Sequence, residues 1–181
     1  MRIWRVFQGR LGTLGGASSV ANSINNAGHV VGVSYLPGNV EYHAAIWNGT
    51  GPIDLGTVGG RFSWATDINN QGQVVGGSYG LEDTISYATI WNNNIATDLN
   101  ALISSNDAGW HLEAATAVND LGQIVAYGKN SLGLQRGFLL TPCGFCSEPA
   151  SVPEPGTLAL ICCGIVGIVL SRCCRVMGSM S

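Results

Sequence analysis

The sequence predicts an all-β repeat ectodomain, built as an incomplete set of β-propeller-like blades, followed by one C-terminal transmembrane helix. Three observations carry this: a period of 44 residues, short β segments joined by Asn…Gly turns within each period, and a thirteen-residue apolar run near the end of the 181-residue chain. With 46% apolar and 10% charged residues, the chain is neither a disordered charged polymer nor, with 26 unevenly spaced glycines, a collagen. Eight Lys and Arg against eleven Asp and Glu leave a net charge of −3, which offers no cationic surface to phosphate and argues against a nucleic-acid partner.

The period is read directly. Leu11 opens LGTLGGASSVANSINNAGHVVGVSY, and Leu55, 44 residues later, opens LGTVGGRFSWATDINNQGQVVGGSY. Ala45-Ile46-Trp47-Asn48 stands against Thr89-Ile90-Trp91-Asn92 at the same offset. A worn third copy keeps its middle at Ala114 to Val125 and its end at Arg136 to Leu140, with an insertion of about six residues around Asn106 to Glu113. The units therefore run over about 11–54, 55–98 and 99–142, within a repeat region of 1–142.

Inside the first unit, Val20 to Ile24, His29 to Tyr35, Tyr42 to Trp47 and Pro52 to Val58 are strand-like. Asn25-Asn26-Ala27-Gly28 places Asn early and Gly last, as a hairpin with a left-handed glycine requires, and the device returns at Asn69 to Gly72 and Asn119 to Gly122. No amphipathic helical period precedes Leu158. Three or four strands per 44 residues is the size of a propeller blade, whose small sheet buries its faces only against its neighbours. Three blades do not close a ring, so further units upstream of Met1 or association with other repeat chains is expected.

Beyond the repeats, 143–155 reads as a Cys/Pro-rich stalk, because Pro149, Pro153 and Pro155 forbid helix and favour an extended chain. Residues 156–171 follow as the transmembrane helix. Leu158 to Leu170 contain no polar side chain, and the uncharged stretch from Pro155 to Ser171 spans roughly 25 Å as a helix, at the short end of a bilayer core. Arg172 and Arg175 come next and can snorkel to lipid headgroups. By the positive-inside rule they leave 172–181 as a short basic cytoplasmic tail and put the repeats on the periplasmic or outer side. The N-terminus, MRIWRVFQGRLG, has neither the apolar core nor the cleavage site of a signal peptide. Export then rests on the C-terminal span alone or the start lies upstream, and the unclosed repeat favours the latter.

Two resemblances follow. Val152-Pro153-Glu154-Pro155, the apolar helix and the basic cluster, over about 150–175, resemble the PEP-CTERM sorting signal of Gram-negative bacteria. That resemblance implies recognition of Pro153, Glu154 and Pro155 by exosortase, a membrane-embedded cysteine protease or transpeptidase, and passage of the cargo outward. It implies an inner-membrane protein with a periplasmic ectodomain before processing, and a cell-surface or extracellular one afterwards. The repeats resemble the HAF repeat of extracellular proteins: Leu11 to Gly16, Ile24 to Gly32 and His43 to Trp47, then Leu55 to Gly60, Ile68 to Gly76 and Ala88 to Trp91. Departures are Tyr87 for His43, Ala126 where Gly32 and Gly76 stand, and loss of the opening Gly-Gly in the third unit.

Chemistry is sparse. Asp67 to Gly72 faintly imitates a calcium loop, but Ser23 and Ala117 replace Asp67 in the other units, so a hairpin is expected and no metal. His29, His43 and His111 have no acid at metal or triad spacing, and Ser18, Ser63 and Ser78 lack a nucleophile-elbow frame. No catalytic residue and no cofactor is assigned. Cys143 and Cys146 have redox-pair spacing without the βαβ unit such chemistry needs, and a local disulfide between them would stiffen the stalk junction. Cys162, Cys163, Cys173 and Cys174 read as free apolar thiols of the membrane region. Trp47 and Trp91 hold equivalent positions and are expected in the packing; Trp4, Trp64 and Trp110 are where a ligand face is expected. The function that results is a non-enzymatic exported surface or matrix protein, with membrane lipid and exosortase as partners. The alternative is a carbohydrate-binding module or adhesin for extracellular polysaccharide. A hydrolase would need clustered acids that the sequence does not offer.

Overall fold

The computed structural model describes residues 10–103, 109–142 and 175–176. They form three four-stranded antiparallel sheets. The first holds β1 (Ser19–Ile24), β2 (Val30–Tyr35), β3 (Tyr42–Trp47) and β4 (Pro52–Asp54), in that order. The second holds β5 (Ser63–Ile68), β6 (Val74–Tyr79), β7 (Ser86–Asn92) and β8 (Ile95–Asp98), and a 3-10 turn, Leu99–Ala101, follows it. The third holds β9 (Trp110–Val118), β10 (Ile124–Asn130), β11 (Gln135–Thr141) and β12 (Arg175–Val176).

Registers repeat from sheet to sheet. Val31 pairs with Ile46, Val75 with Ile90 and Val125 with Leu139. Each first strand carries a bulge at its equivalent residue, Asn22, Thr66 or Thr116, where the pairing skips one position. The opening LGTLGG and LGTVGG segments are irregular connections rather than strand. β4 stops at Asp54, short of the Pro52 to Val58 expected: the Leu55 amide still donates to the Ala44 carbonyl at 3.0 Å, the last rung of the ladder, and Gly56, at φ 68°, then turns the chain away.

The sheets pack face to face. Val31, Ile46 and Leu55 of the first meet Ala65, Ile68, Val74 and Trp91 of the second. Val75, Ile90 and Leu99 meet Leu112, Ile124 and Leu140 of the third. The middle sheet is therefore covered on both sides, which is why β6 is buried from Val74 to Ser78 and its sequence shows no polar alternation. Each large side chain removed from water in these layers contributes about 1.5–3 kcal/mol. Trp91 lies in this packing as expected, and Trp47 is buried too.

The stack does not close into a barrel among the described residues. Among the described residues no helix is long and apolar enough to cross a membrane, and the expected span, 156–171, lies outside them. The backbone of Arg175 and Val176 pairs with Thr141 and Leu140, in the fourth-strand slot of the third sheet. β11 would otherwise be an edge, and an unpaired edge accepts any chain with free N–H and C=O groups.

Candidate functional site

Two rims of the stack concentrate polar and aromatic groups. At one rim sit the three Asn…Gly hairpins. Asn69 accepts the Gln71 and Gln73 amides at 3.1 and 2.9 Å on its side-chain oxygen, and Asn25 and Asn119 make the equivalent bonds. Gly28, Gly72 and Gly122 close these turns at φ 81°, 81° and 73°. The hairpins also bond to one another. Asn25 Nδ2 donates to the Asn69 carbonyl at 3.1 Å, and Asn69 Nδ2 donates to the Asn119 carbonyl at 3.0 Å. The Asn26 amide donates to Asn70 Oδ1 at 2.9 Å, and the Asn70 amide to Asp120 Oδ1 at 2.8 Å. The Asn70 main chain and side chain together hold the Asp120 carboxyl below its ordinary pKa.

Asp67, the residue that imitates a calcium ligand in the sequence, is occupied in this network. Its carboxylate accepts the Ser23 hydroxyl at 2.6 Å and the Val118 amide at 2.9 Å, so one side chain ties all three sheets together. Among the described residues no three His, Cys, Asp or Glu side chains gather at metal distance.

The opposite rim carries a row of aromatic rings. Tyr35 meets Tyr42 edge-on at 5.6 Å, Tyr42 meets Phe62 at 4.8 Å, Phe62 meets Tyr79 at 6.0 Å, and Tyr79 meets Trp64 at 5.8 Å. The Arg61 guanidinium lies 5.3 Å above the Phe62 ring. The row exists because β2 and β6 end, and β3 and β5 begin, at this rim, and all five rings are half-buried. Burial raises the Tyr42 phenol, with Tyr79 and Tyr35 adding to the effect.

Trp64 thus lies in an aromatic row, but it is not an isolated exposed platform. Its ring covers Gly77, where a Cβ would run into the indole. Trp110 opens β9, half-buried, and packs on Phe138 at 5.3 Å in the third sheet. Trp4 lies outside the described residues. The sequence reading missed the four other rings, whose signal was their recurrence at strand ends.

It also missed an acid–histidine pair. His43 Nδ1 lies 2.9 Å from both carboxylate oxygens of Asp54. The two residues are 11 apart in sequence but meet across β3 and β4, where Ala45 is paired with Asp54. Burial pushes the Asp54 carboxyl up; the bond from His43, the Gly56 amide and the His43 charge outweigh it and hold the pKa below the ordinary value. Among the described residues no hydroxyl or thiol is bonded to His43 Nε2. His111 bridges two sheets: its ring meets Tyr87 edge-on at 4.9 Å, and its Nε2 donates to the Ser86 carbonyl at 2.8 Å.

Val152, Pro153, Glu154, Pro155, Cys143, Cys146 and Arg172 lie outside the described residues, and Arg175 is described only in its backbone. No curated protein and no solved structure matches the chain. Residues 151–175 match the PEP-CTERM protein-sorting motif, the segment read as a sorting signal from its Val-Pro-Glu-Pro, apolar and basic parts. The chain therefore carries a motif of the kind exosortase recognises on proteins sent through the membrane toward the cell surface.

Proposed function

We propose that this is a non-enzymatic surface or extracellular-matrix protein, a HAF-type repeat body delivered through its PEP-CTERM segment. The observation that carries the proposal is the sorting motif at 151–175, placed directly after a folded β body that ends at Thr141. In this reading 156–171 crosses the inner membrane, Arg172 and Arg175 face the cytoplasm, and exosortase acts at Val152 to Pro155. The β12 ladder is released on insertion, because Thr141 and Arg175 then lie on opposite sides of the bilayer. A Gram-negative host with its own exosortase tests this. The expected outcome is a C-terminally shortened protein at the cell surface or in the medium, and full-length protein retained in carbonate-washed membranes when exosortase is deleted or Pro153 and Glu154 are both replaced by Ala. Full-length protein in the carbonate supernatant in either strain overturns it.

A second function, binding of extracellular polysaccharide, is favoured by the aromatic row from Tyr35 to Trp64, since sugar rings stack on such faces. Glycan-array binding that Tyr42→Ala or Trp64→Ala abolishes, with the folded state kept, supports it; an array with no bound glycan sinks it.

A further inference from the structure

The two sheet-to-sheet interfaces inside the chain are copies of one another, and each uses the same polar bonds. The bulge residue of one sheet donates to a carbonyl of the next: Asn22 Nδ2 to Ala65 at 2.7 Å, then Thr66 Oγ1 to Ala115 at 2.8 Å. The hairpin Asn donates to the next hairpin's carbonyl, and the residue after it donates its amide to the next hairpin's side chain. Every sheet thus has a donating face and an accepting face. Among the described residues, the donating face of the third sheet and the accepting face of the first have no further sheet against them.

Exposure marks both ends. On the third sheet Val125 and Leu139 are 45% and 39% exposed, whereas their counterparts are 0% and 6% in the second sheet (Val75, Ile90) and 0% and 9% in the first (Val31, Ile46). Thr116 Oγ1, at the bulge, makes the same bond to Val125 of its own sheet, at 3.3 Å, that Thr66 makes to Val75 at 3.0 Å, but among the described residues it has no counterpart of the Thr66 bond to Ala115. On the first sheet Ile24 is 64% exposed, against 5% for Ile68 and 8% for Val118. The Ala21 carbonyl, equivalent by register to those of Ala65 and Ala115, lies on this side. Trp47 is already buried, so the available part of this face is its inner-strand half.

We propose that the protein pairs head to tail with a second copy of itself, the third sheet of each chain packing on the first sheet of the other. The contact repeats the inner-strand part of the internal interface, with its bulge and hairpin bonds, and leaves Trp47 outside it. Val125 and Leu139 cover the partner's Ile24. Thr116 Oγ1 donates to the partner's Ala21 carbonyl, Asn119 Nδ2 to the partner's Asn25 carbonyl, and the Asp120 amide to the partner's Asn26 Oδ1. Two copies make six sheets, inside the four-to-eight range in which propeller rings close, while three copies would make nine. The association is independent of the export route.

The test uses the full chain in detergent, with its mass measured by light scattering after subtraction of the detergent. Twice the 18.9 kDa chain mass is expected. Val125→Asp and Leu139→Asp are expected to give folded monomers at concentrations where the unaltered protein is wholly dimeric, because a buried unpaired carboxylate opposes docking. Leu132→Asp, 81% exposed on a hairpin away from this face, should stay dimeric. Independently, the pair Thr116→Cys with Ala21→Cys should oxidise to a covalent dimer whose disulfide maps, by peptide mass spectrometry, to positions 116 and 21 rather than to the native cysteines. A monomeric unaltered protein overturns the proposal, whether a ring is completed by further repeats in one chain or not at all. So does a dimer that survives Val125→Asp, which would be held elsewhere, the apolar segment included, and so does an open ladder of larger species.

Discussion

The Asn25 side-chain amide donates to the Asn69 carbonyl oxygen at 3.1 Å, joining two residues one repeat period apart. Sequence identity at this position follows from the bond: each hairpin Asn folds its own turn with its oxygen and reaches the next hairpin with its nitrogen. Only a primary amide offers both an acceptor and two donors at this length.

That double duty predicts an unequal cost of removal. Asn69 is 3% exposed, accepts two amides and donates to Gln73 Oε1 and the Asn119 carbonyl. Asn69→Ala leaves these groups unpaired and should lower stability by about 2–3 kcal/mol, read from urea unfolding. Asn119→Ala, at the exposed end of the ladder, has no onward bond within the chain to lose and, compared in the monomeric Val125→Asp background, should cost about half as much. Equal costs would mean that the contact between hairpins contributes nothing.

Glycine at the bulge is a second sequence identity with a steric cause. A Cβ on Gly76 would fall on the Trp64 carbonyl oxygen, and one on Gly32 on the Val20 carbonyl, both main-chain atoms that cannot step aside. Gly76→Ala should cost about 3 kcal/mol or more. Gly28→Ala meets open space and bears only the left-handed penalty of about 1–2 kcal/mol. In the third sheet Ala126 replaces this glycine, and the close approach has moved to Gly128, where a Cβ would meet the His111 carbonyl. Gly128→Ala should therefore destabilise about as much as Gly76→Ala, by the same thermal or urea measurement.

The strands of the first unit were legible because the period, the Asn…Gly turns and the β-branched runs agree: His29 to Tyr35 was expected and Val30–Tyr35 is found, and Tyr42 to Trp47 is found unchanged. What was not legible depends on register. His43 and Asp54 meet only because β4 pairs two residues along from His43, and a spacing of 11 does not encode that. The aromatic row likewise forms across two sheets, so Trp64 stood out in the sequence while Tyr42 and Phe62, its neighbours in space, did not. The pairing of Arg175 with Thr141 joins positions whose chemistry, a basic flank and a strand end, gives no hint of contact.

The His43–Asp54 contact makes stability depend on acid. The folded Asp54 carboxyl titrates below its ordinary value, so its contribution is fully present above about pH 4, the unfolded value, and is lost as pH falls through the folded one. His43→Ala removes the partner. Unfolding curves of the two proteins should differ by about 0.2–1 kcal/mol at pH 5, since the Asp54 side chain is 40% exposed, and should converge as the pH falls through the folded value. A difference that grows on acidification would contradict the assignment.

Asp67 separates a calcium ligand from an inter-sheet acceptor. As an acceptor it takes one bond from a hydroxyl and one from a main-chain amide. An asparagine can satisfy both, its oxygen facing the Val118 amide and its NH2 donating to Ser23 Oγ, because a hydroxyl also accepts. Asp67→Asn should then cost less than about 1 kcal/mol, whereas Asp67→Ala leaves the Val118 amide and the Ser23 hydroxyl without their partner and should cost about 2–3 kcal/mol. Calorimetry of all three proteins with and without millimolar calcium decides the matter. A calcium-dependent rise in melting temperature that Asp67→Asn abolishes would make Asp67 a metal ligand, since exchanging carboxylate for amide removes the charge that a calcium site needs and leaves the bonds between sheets nearly intact.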